Sequence, residues 1–526
     1  MAKELSTAGF SVVVLEQGPY LRERDYSHDE IKYTIQPGLT NDPKLQPITY
    51  RKSEHAPTKR LKALEYGRQV GGGSVHFTGN YWRFHESDFQ ERSLFGEISG
   101  TGFADWPVSY ADLEPYYTQA EYELGISGLA GANPFEGPRS RPYPLPPMPV
   151  KSSGVLFEQA ARKLGLHPFP APVAILSQPY HGRAACVQCG FCESFGCEMR
   201  AKSSTLVTVI PVALQTGRCE IRPDSYVRKI EVDGRGRATG AVYFDARRRE
   251  IFQRAKAVVV CANGAETPRL LLMSKSGLFP EGLANSSGLV GKYLMWDNGG
   301  EACGLFEHPL NEYKGIQVTR LIHDHYAADA KRGFYGGGAI DARFDFYPVG
   351  FALNGMPQDG PKWGGEYKKM LAKYFTRSMT LLAHTTSLPQ VNNTITLDPE
   401  LKDAWGLPAI RVTFDHHPDD VATLEWMLKK QIEILQVAGA QKIWTQPMTL
   451  EDEMPSRHLM GTCRMGNDAK TSVVNRYSRA HDVANLVIVD GSNFVTSARQ
   501  QPTATIQALA YRAASEAIMA AKRGDL

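Results

Sequence analysis

No apolar run in this chain approaches the roughly 18 residues of a membrane span, so no direct span is expected. An excess of one charge is missing as well. Lys and Arg number 59 against 56 Asp and Glu, a formal net charge of +3, which gives no argument for nucleic acid. The compositions of disorder, coiled coil and collagen are absent: 42% of residues are hydrophobic and 22% charged, ordinary globular usage. Met1 to Leu15 shows no basic region followed by a hydrophobic stretch, so no secretory signal is read there. Eight cysteines in 526 residues do not make the disulfide framework of a small secreted domain. At roughly 100–200 residues per domain, the length suggests two to four domains, or two with insertions.

What is present reads as alternating helix and strand. Met1–Gly9 has an end-of-helix glycine, and residues 10–15 form a short apolar run that suits a strand buried on both faces of a parallel sheet. Strand patterns return at 219–232, 238–244, 257–261, 394–397, 409–414 and 486–489. A helix is expected over about 420–438, with Val421, Leu424, Leu428, Ile432 and Leu435 on its apolar face and Gly439 as its stop. The last segment, from about Thr503, is helical. Residues 134–149 hold seven prolines and form a non-regular connection. The expected fold class is α/β (α+β overall). A nucleotide-binding part lies in discontinuous pieces, with antiparallel strands and helices inserted between them.

Glu16 ends the first apolar strand, where a carboxylate can accept hydrogen bonds from ribose hydroxyls. An ordinary strand-end glutamate fits the same pattern. The partner of this signal, a preceding strand with G-x-G-x-x-G, is missing, and with it the phosphate cradle. The expectation is that roughly 20–30 residues precede Met1 in the native protein, judged from the size of that motif. Cys186, Cys189, Cys192 and Cys197 fall within twelve residues at C-x2-C-x2-C-x4-C spacing. That spacing suits an iron–sulfur cluster. Four-thiolate zinc and unliganded thiols stay open. His416-His417 before Pro418 has no third ligand in sequence and reads as a surface pair.

Read together, four segments resemble the glucose–methanol–choline (GMC) oxidoreductases. They are Gly67–Arg83 (GRQVGGGSVHFTGNYWR), Gly264–Gly277 (GAETPRLLLMSKSG), His458–Gly466 (HLMGTCRMG), and the C-terminal LVIVDGSNF with QPTATIQALAYRAA. DWPVSYADLEPYY at 105–117 is similar to the subgroup of bacterial sugar and alcohol dehydrogenases that includes gluconate dehydrogenase large subunits. The resemblance implies a GMC-type FAD-binding domain at 1–100, 185–300 and 455–526. It implies a substrate-binding domain at 101–184 and 301–454.

The implied cofactor is FAD. Gly71, Gly72 and Gly73 would let backbone approach the isoalloxazine, since no Cβ intervenes. The resemblance places Asn80 against the flavin, Val227 near adenine and Asp490 at the ribityl chain. Arg68, Ser74, Gly491, Pro502 and Thr503 complete the expected contacts with Glu16. His76 falls where some relatives bond the flavin covalently and others do not. His458 is the implied catalytic base, a residue type suited to taking a hydroxyl proton. Gln501 stands where most relatives have His or Asn, and Gln500 is its alternative. Some relatives carry a three-iron cluster in a cysteine-rich segment at the place of Cys186–Cys197.

The function implied is FAD-dependent oxidation of a primary or secondary alcohol, such as a sugar or sugar acid, by hydride transfer to flavin N5. Electrons would pass to a cytochrome, quinone or dye. An oxygen-using alcohol oxidase is one alternative, and a truncated non-catalytic subunit another. The resemblance allows a small subunit and a cytochrome c subunit as partners. Location is then cytoplasmic, or periplasmic by export with a partner.

Overall fold

The structure is a computed structural model and describes residues 1–61, 64–296, 298–445 and 457–526. The expected division at 454–455 lies outside the described residues.

The part expected to bind the nucleotide contains two short parallel pairs. Val12–Leu15 runs beside Cys219–Arg222, and Val258–Val260 runs beside Leu486–Ile488. The pairs form separate sheets, and no described strand hydrogen-bonds to both. Val12–Leu15 is therefore half-buried along its whole length, not buried on both faces as its composition suggests. One strand neighbour covers it, from one edge only. A three-stranded antiparallel sheet follows, made of Tyr226–Val232, Ala238–Phe244 and Glu250–Arg254. The strand pattern over 219–232 is interrupted at Pro223, whose ring removes a ladder donor.

The largest core lies around the C-terminal helix, Thr503–Arg523. Helix Tyr110–Leu124 packs on it. Ser109 and Asp112 close a capping box at its start, and Gly125 ends it in a left-handed conformation. Tyr117 and Thr505 join the two helices through their hydroxyls at 2.7 Å. A helix from the stretch expected to bind substrate thus shares a core with the part expected to bind the nucleotide.

The inserted region is built on a six-stranded antiparallel sheet. Its order is Lys442–Thr445, Asn298–Leu305, Ser378–Thr385, Gly338–Arg343, Arg320–Ile322, Phe169–Pro170. Alternation along the strands separates two faces. Ala302, Ile340, Ala342, Met379, Leu381 and Ala383 point to helices Ser152–Lys163 and Pro418–Val437 in an apolar core. The other face carries Glu301, Asp341, Arg343, Thr380 and His384.

Helix Pro418–Val437 starts with proline in its first turn and two acids there, which suits the positive end of the dipole. Its buried stripe is Leu424, Met427, Gln431, Ile434 and Leu435. Val421, Leu428 and Ile432 are only half-buried. The apolar face expected from the sequence is rotated because two polar residues turn inward. Gln431 donates to Gly300 O at 2.6 Å, and Asp420 accepts from Leu388 N. Those bonds satisfy the buried polar atoms, so hydrophobicity alone does not set the face. A smaller mixed sheet, ordered Thr394–Lys402, Pro408–Thr413, Ile48–Arg51, Lys59–Leu61, ties the N-terminal region to the inserted one.

Candidate active site

Glu16 sits where its strand ends, and its Oε1 accepts from Gly18 N at 2.8 Å. Burial pushes its carboxyl up to about 7, with the Gly18 N–H and the Arg68 guanidinium opposing that rise. Gly18 packs so closely on the Gly-rich segment that a Cβ there would lie 2.1 Å from Arg68 O. Val70 N donates to Pro19 O, and Ser225 N to Glu16 O, at 3.0 and 2.8 Å. These bonds bring Glu16, Arg68 and the start of the Val227 strand together. Gly71 and Gly72 have left-handed backbone, which permits the tight turn into Ser74. Nothing lies within 4 Å of a Cβ built at Gly72 or Gly73. Ser74 Oγ donates to Gly71 O at 2.8 Å. His76 is pushed down to about 4, by burial first and then by Lys202 and Arg457, so its ring is neutral. Its Nε2 has no hydrogen-bond partner among the described residues.

His458 is half-buried and holds left-handed backbone, φ 49°. For a non-glycine residue that conformation is uncommon, though histidine adopts it more readily than most. The chain after it is fixed tightly. Gly461 N donates to Gly491 O at 3.1 Å, and Leu459 O approaches both Gly264 and Gly491. Asp490 accepts from Thr267 Oγ1 at 2.6 Å and Ser492 N at 2.8 Å, and burial pushes its carboxyl up. Three of the sequence segments, around 264, 458 and 490, therefore meet here.

Asn80 is buried, and its Nδ2 lacks a partner among the described residues. Gln500 donates through Nε2 to Arg83 O, which draws the residues before the C-terminal helix onto the segment after Asn80. Gln501 is 6% exposed, and its Oε1 has no partner among the described residues. Pro502 caps the helix that Thr503 begins.

Sequence reasoning missed the residue that ties the groups together. Arg457 pairs with Glu65 at 2.9 Å and with Glu193 at 2.6 Å. It joins the His458 stretch to the chain before Gly67 and to the cysteine loop. Position 457, beside the histidine, was the available signal. Its partners lie about 260 and 390 residues away, so no local pattern could name them. Ser194 N also donates to His76 O at 2.7 Å. Lys202 Nζ donates to Phe77 O, Cys192 O and Phe195 O.

Among the described residues no cysteine is joined in a disulfide, in the cysteine loop or elsewhere. Cys192 is buried in an apolar core with Trp82 and Phe169, and Cys189 is exposed. Burial pushes Cys186 up to about 11 and Cys192 up to about 12, which favours thiol over thiolate. Among the described residues, no group of three or more His, Cys, Asp or Glu side chains is placed to hold a metal ion. No iron–sulfur cluster or zinc is assigned to Cys186, Cys189, Cys192 and Cys197, and no electron step runs through them. His416 and His417 are half-buried instead of surface residues. His416 packs on Trp296 and Phe414, and His417 Nδ1 accepts from Asp419 N to cap its helix.

FAD fits the residues present. The buried unpaired atoms at His76, Asn80 and Gln501, the open space over Gly72 and Gly73, and the acceptor at Glu16 suit a polar ring system and a ribose. Glu16 also yields a pH prediction. A ribose hydroxyl binds best to the carboxylate, which forms above about pH 7. The dissociation constant of FAD is expected to rise as pH falls from 8 to 6. In Glu16→Gln it is expected to be weaker and flat over that range. Fluorescence titration of added FAD reads both, and a native affinity independent of pH would contradict the assignment.

Comparison with known proteins gives the family. The GMC oxidoreductase models match residues 50–296 and 389–510. The 2-methyl-1,2-propanediol dehydrogenase of Mycolicibacterium austroafricanum is 35% identical, with 97% of this chain and 91% of that protein covered. The gluconate 2-dehydrogenase flavoprotein of Pantoea cypripedii is 31% identical, with coverage of 97% and 90%. A crystal structure of formate oxidase superposes with a TM-score of 0.65 at 14% identity, covering 100% of this chain and 96% of that one, and shows the shared fold. The chain belongs to the GMC oxidoreductase family and is an FAD-dependent oxidoreductase acting on CH–OH groups.

Proposed function

We propose that the chain is an alcohol dehydrogenase in which His458 is the catalytic base and Gln501 orients the substrate hydroxyl. The observation that carries this reading is the meeting of the 264, 458 and 490 segments, joined through Arg457 to the chain leading into the Gly-rich turn. FAD bound against Gly71–Ser74 supplies the acceptor for the hydride that leaves the carbinol carbon. His458 takes the hydroxyl proton on its ring nitrogen. The left-handed turn at His458 and the bond from Gly461 to Gly491 fix the direction from which the imidazole reaches. Gln501 offers an amide that can donate to or accept from the substrate oxygen. Holding hydroxyl and base in one geometry removes an entropic part of the barrier. Electrons then leave to a dye, quinone or cytochrome. This acceptor choice rests on the dehydrogenase relatives.

The test is anaerobic mixing of the flavin-loaded protein with a panel of primary and secondary alcohols. Loss of the oxidised flavin absorbance is expected with at least one. The same alcohol should then support dye reduction many times faster than peroxide formation in air. Peroxide at the rate of alcohol consumption would make the protein an oxidase. No bleaching by any alcohol would overturn the reading.

A further inference from the structure

Lys202 is buried, 2% exposed, and no carboxylate bonds it among the described residues. Its Nζ donates to three main-chain oxygens: Phe77 O at 2.9 Å, Phe195 O at 2.8 Å, and Cys192 O. Three acceptors use all three donors of an ammonium and leave no place for the lone pair of a neutral amine. Burial pulls the group below its ordinary value, and these oxygens hold the proton on it. The main chain is fixed independently of those bonds. Lys202 bridges Ile175, Leu176 N donates to Ala201 O at 3.0 Å, and Ser203 N donates to Ala174 O at 2.8 Å.

The ammonium stands behind the Gly-rich turn. Phe77 N donates to Gly73 O at 3.0 Å, so the residue whose carbonyl anchors Lys202 is itself bonded to the turn. Nothing covers the turn at Gly72 and Gly73. The charge is felt there. The ionised groups that act on His76 are Lys202, then Glu65, then Arg457, and the two cations outweigh the one carboxylate. Around Lys202 itself stand Cys189, Cys192, Cys197 and Glu193. Burial favours the thiol at Cys192. Glu193 bonds Arg457 at 2.6 Å, so its charge is shared with another cation. The balance at the turn is positive.

We propose that Lys202 sets the reduction potential of the bound flavin, because an ammonium fixed behind the turn favours the negative charge that reduction places on the ring system. Hydride carries two electrons and one hydrogen from the carbinol carbon. The hydroxyl proton goes to His458, the alcohol becomes a carbonyl, and one added negative charge is left on the acceptor. A buried cation stabilises that charge more than it does the neutral oxidised form. Lys202 acts through the turn and through its field, as a positioning residue. The inference rests on FAD lying against Gly71–Ser74, and its test separates the two.

The midpoint potential of the flavin-loaded protein is measured by anaerobic titration against a reference dye. Lys202→Gln keeps an amide donor and removes the charge. Its potential is expected to fall by the equivalent of about tenfold in the reduction equilibrium, ~30 mV for two electrons. Lys202→Arg keeps the charge and is expected to restore most of the potential, although its larger head packs worse. The native protein supplies a reading that needs no variant. Its potential falls about 30 mV per pH unit where reduction takes up one proton, and about twice that where it takes up two. The change of slope is expected about one pH unit below that of free FAD, the same tenfold effect. A Gln variant with native potential, an Arg variant as low as Gln, or a native change of slope at the pH of free FAD overturns the inference. Gly73→Val tests the placement beneath it. Nothing lies within 4 Å of a Cβ there, so the variant is expected to fold and to lose FAD. Native FAD affinity in Gly73→Val removes the placement, whatever the potentials.

Discussion

Exchanging His458 for asparagine lowers kcat for alcohol oxidation by about 10^2–10^4-fold, the usual worth of a positioned general base. Asparagine is the informative choice. The residue holds φ 49°, and asparagine tolerates the left-handed region, whereas alanine there adds backbone strain. The bonds from Gly461 to Gly491 and from Thr462 to Gly264 do not involve the side chain, so the flavin-binding segments stay in place. The variant is expected to keep its FAD absorbance and its melting temperature. Substrate affinity should change less than kcat. The split between kcat and KM distinguishes a base from a merely structural histidine. A variant with native kcat, or one whose loss falls on KM instead, removes His458 from the chemistry and shifts attention to Gln500 and Gln501.

The segments that carry the family were readable because their function depends on residue identity at short spacing. The glycines at 71–73, the run at 264–277 and the histidine at 458 lie in the segments by which the family was read. Strands such as Leu486–Ile488 and Ala238–Phe244 were readable from continuous or alternating apolar patterns. The cysteine loop was legible only in part, for a physical reason. Its spacing suits a cluster, yet Cys192 turns into an apolar core as a small hydrophobic side chain would. Spacing reports which ligands are near in sequence, and says nothing of which way each thiol points. The polar sheet face was illegible for the opposite reason. Glu301, Asp341, Arg343 and His384 alternate with alanine, isoleucine and leucine, and polar residues in such a pattern read as the solvent side of a strand. Only the second layer, with Trp82, Glu193 and Arg457, makes that side an interior. Arg457 itself acts through partners hundreds of residues away, and contact at that range leaves no trace in one sequence.

Arg499→Met is expected to cost about 3–5 kcal/mol of stability, the usual loss when one partner of a buried ion pair is removed. Arg499 is 1% exposed and is held by Glu91 at 2.5 Å, Asp88 at 3.3 Å and the Tyr335 hydroxyl at 2.7 Å. Asp88 and Glu91 are themselves fully enclosed. Asp88 is already pushed up to about 7, by burial first and then by Glu91, with Arg499 opposing the rise. Removing the guanidinium leaves two carboxylates facing each other without a cation. The sign with pH follows from the raised proton affinity. An acid whose folded pKa lies above its unfolded one destabilises the fold increasingly as pH climbs from the unfolded value through the folded one. The Met variant should therefore lose more stability at pH 8 than at pH 6, read as the midpoint of urea unfolding at each pH. Adding Glu91→Gln to Arg499→Met should recover part of the loss, because one stranded charge goes. Function follows the same link. Arg499 immediately precedes Gln500 and Gln501, so a loosened anchor should lower kcat even at temperatures where the variant stays folded. A cost below about 1 kcal/mol, the range of exposed pairs, or a loss that shrinks as pH rises, would show that this pair neither anchors the segment nor carries its charge in a dry environment.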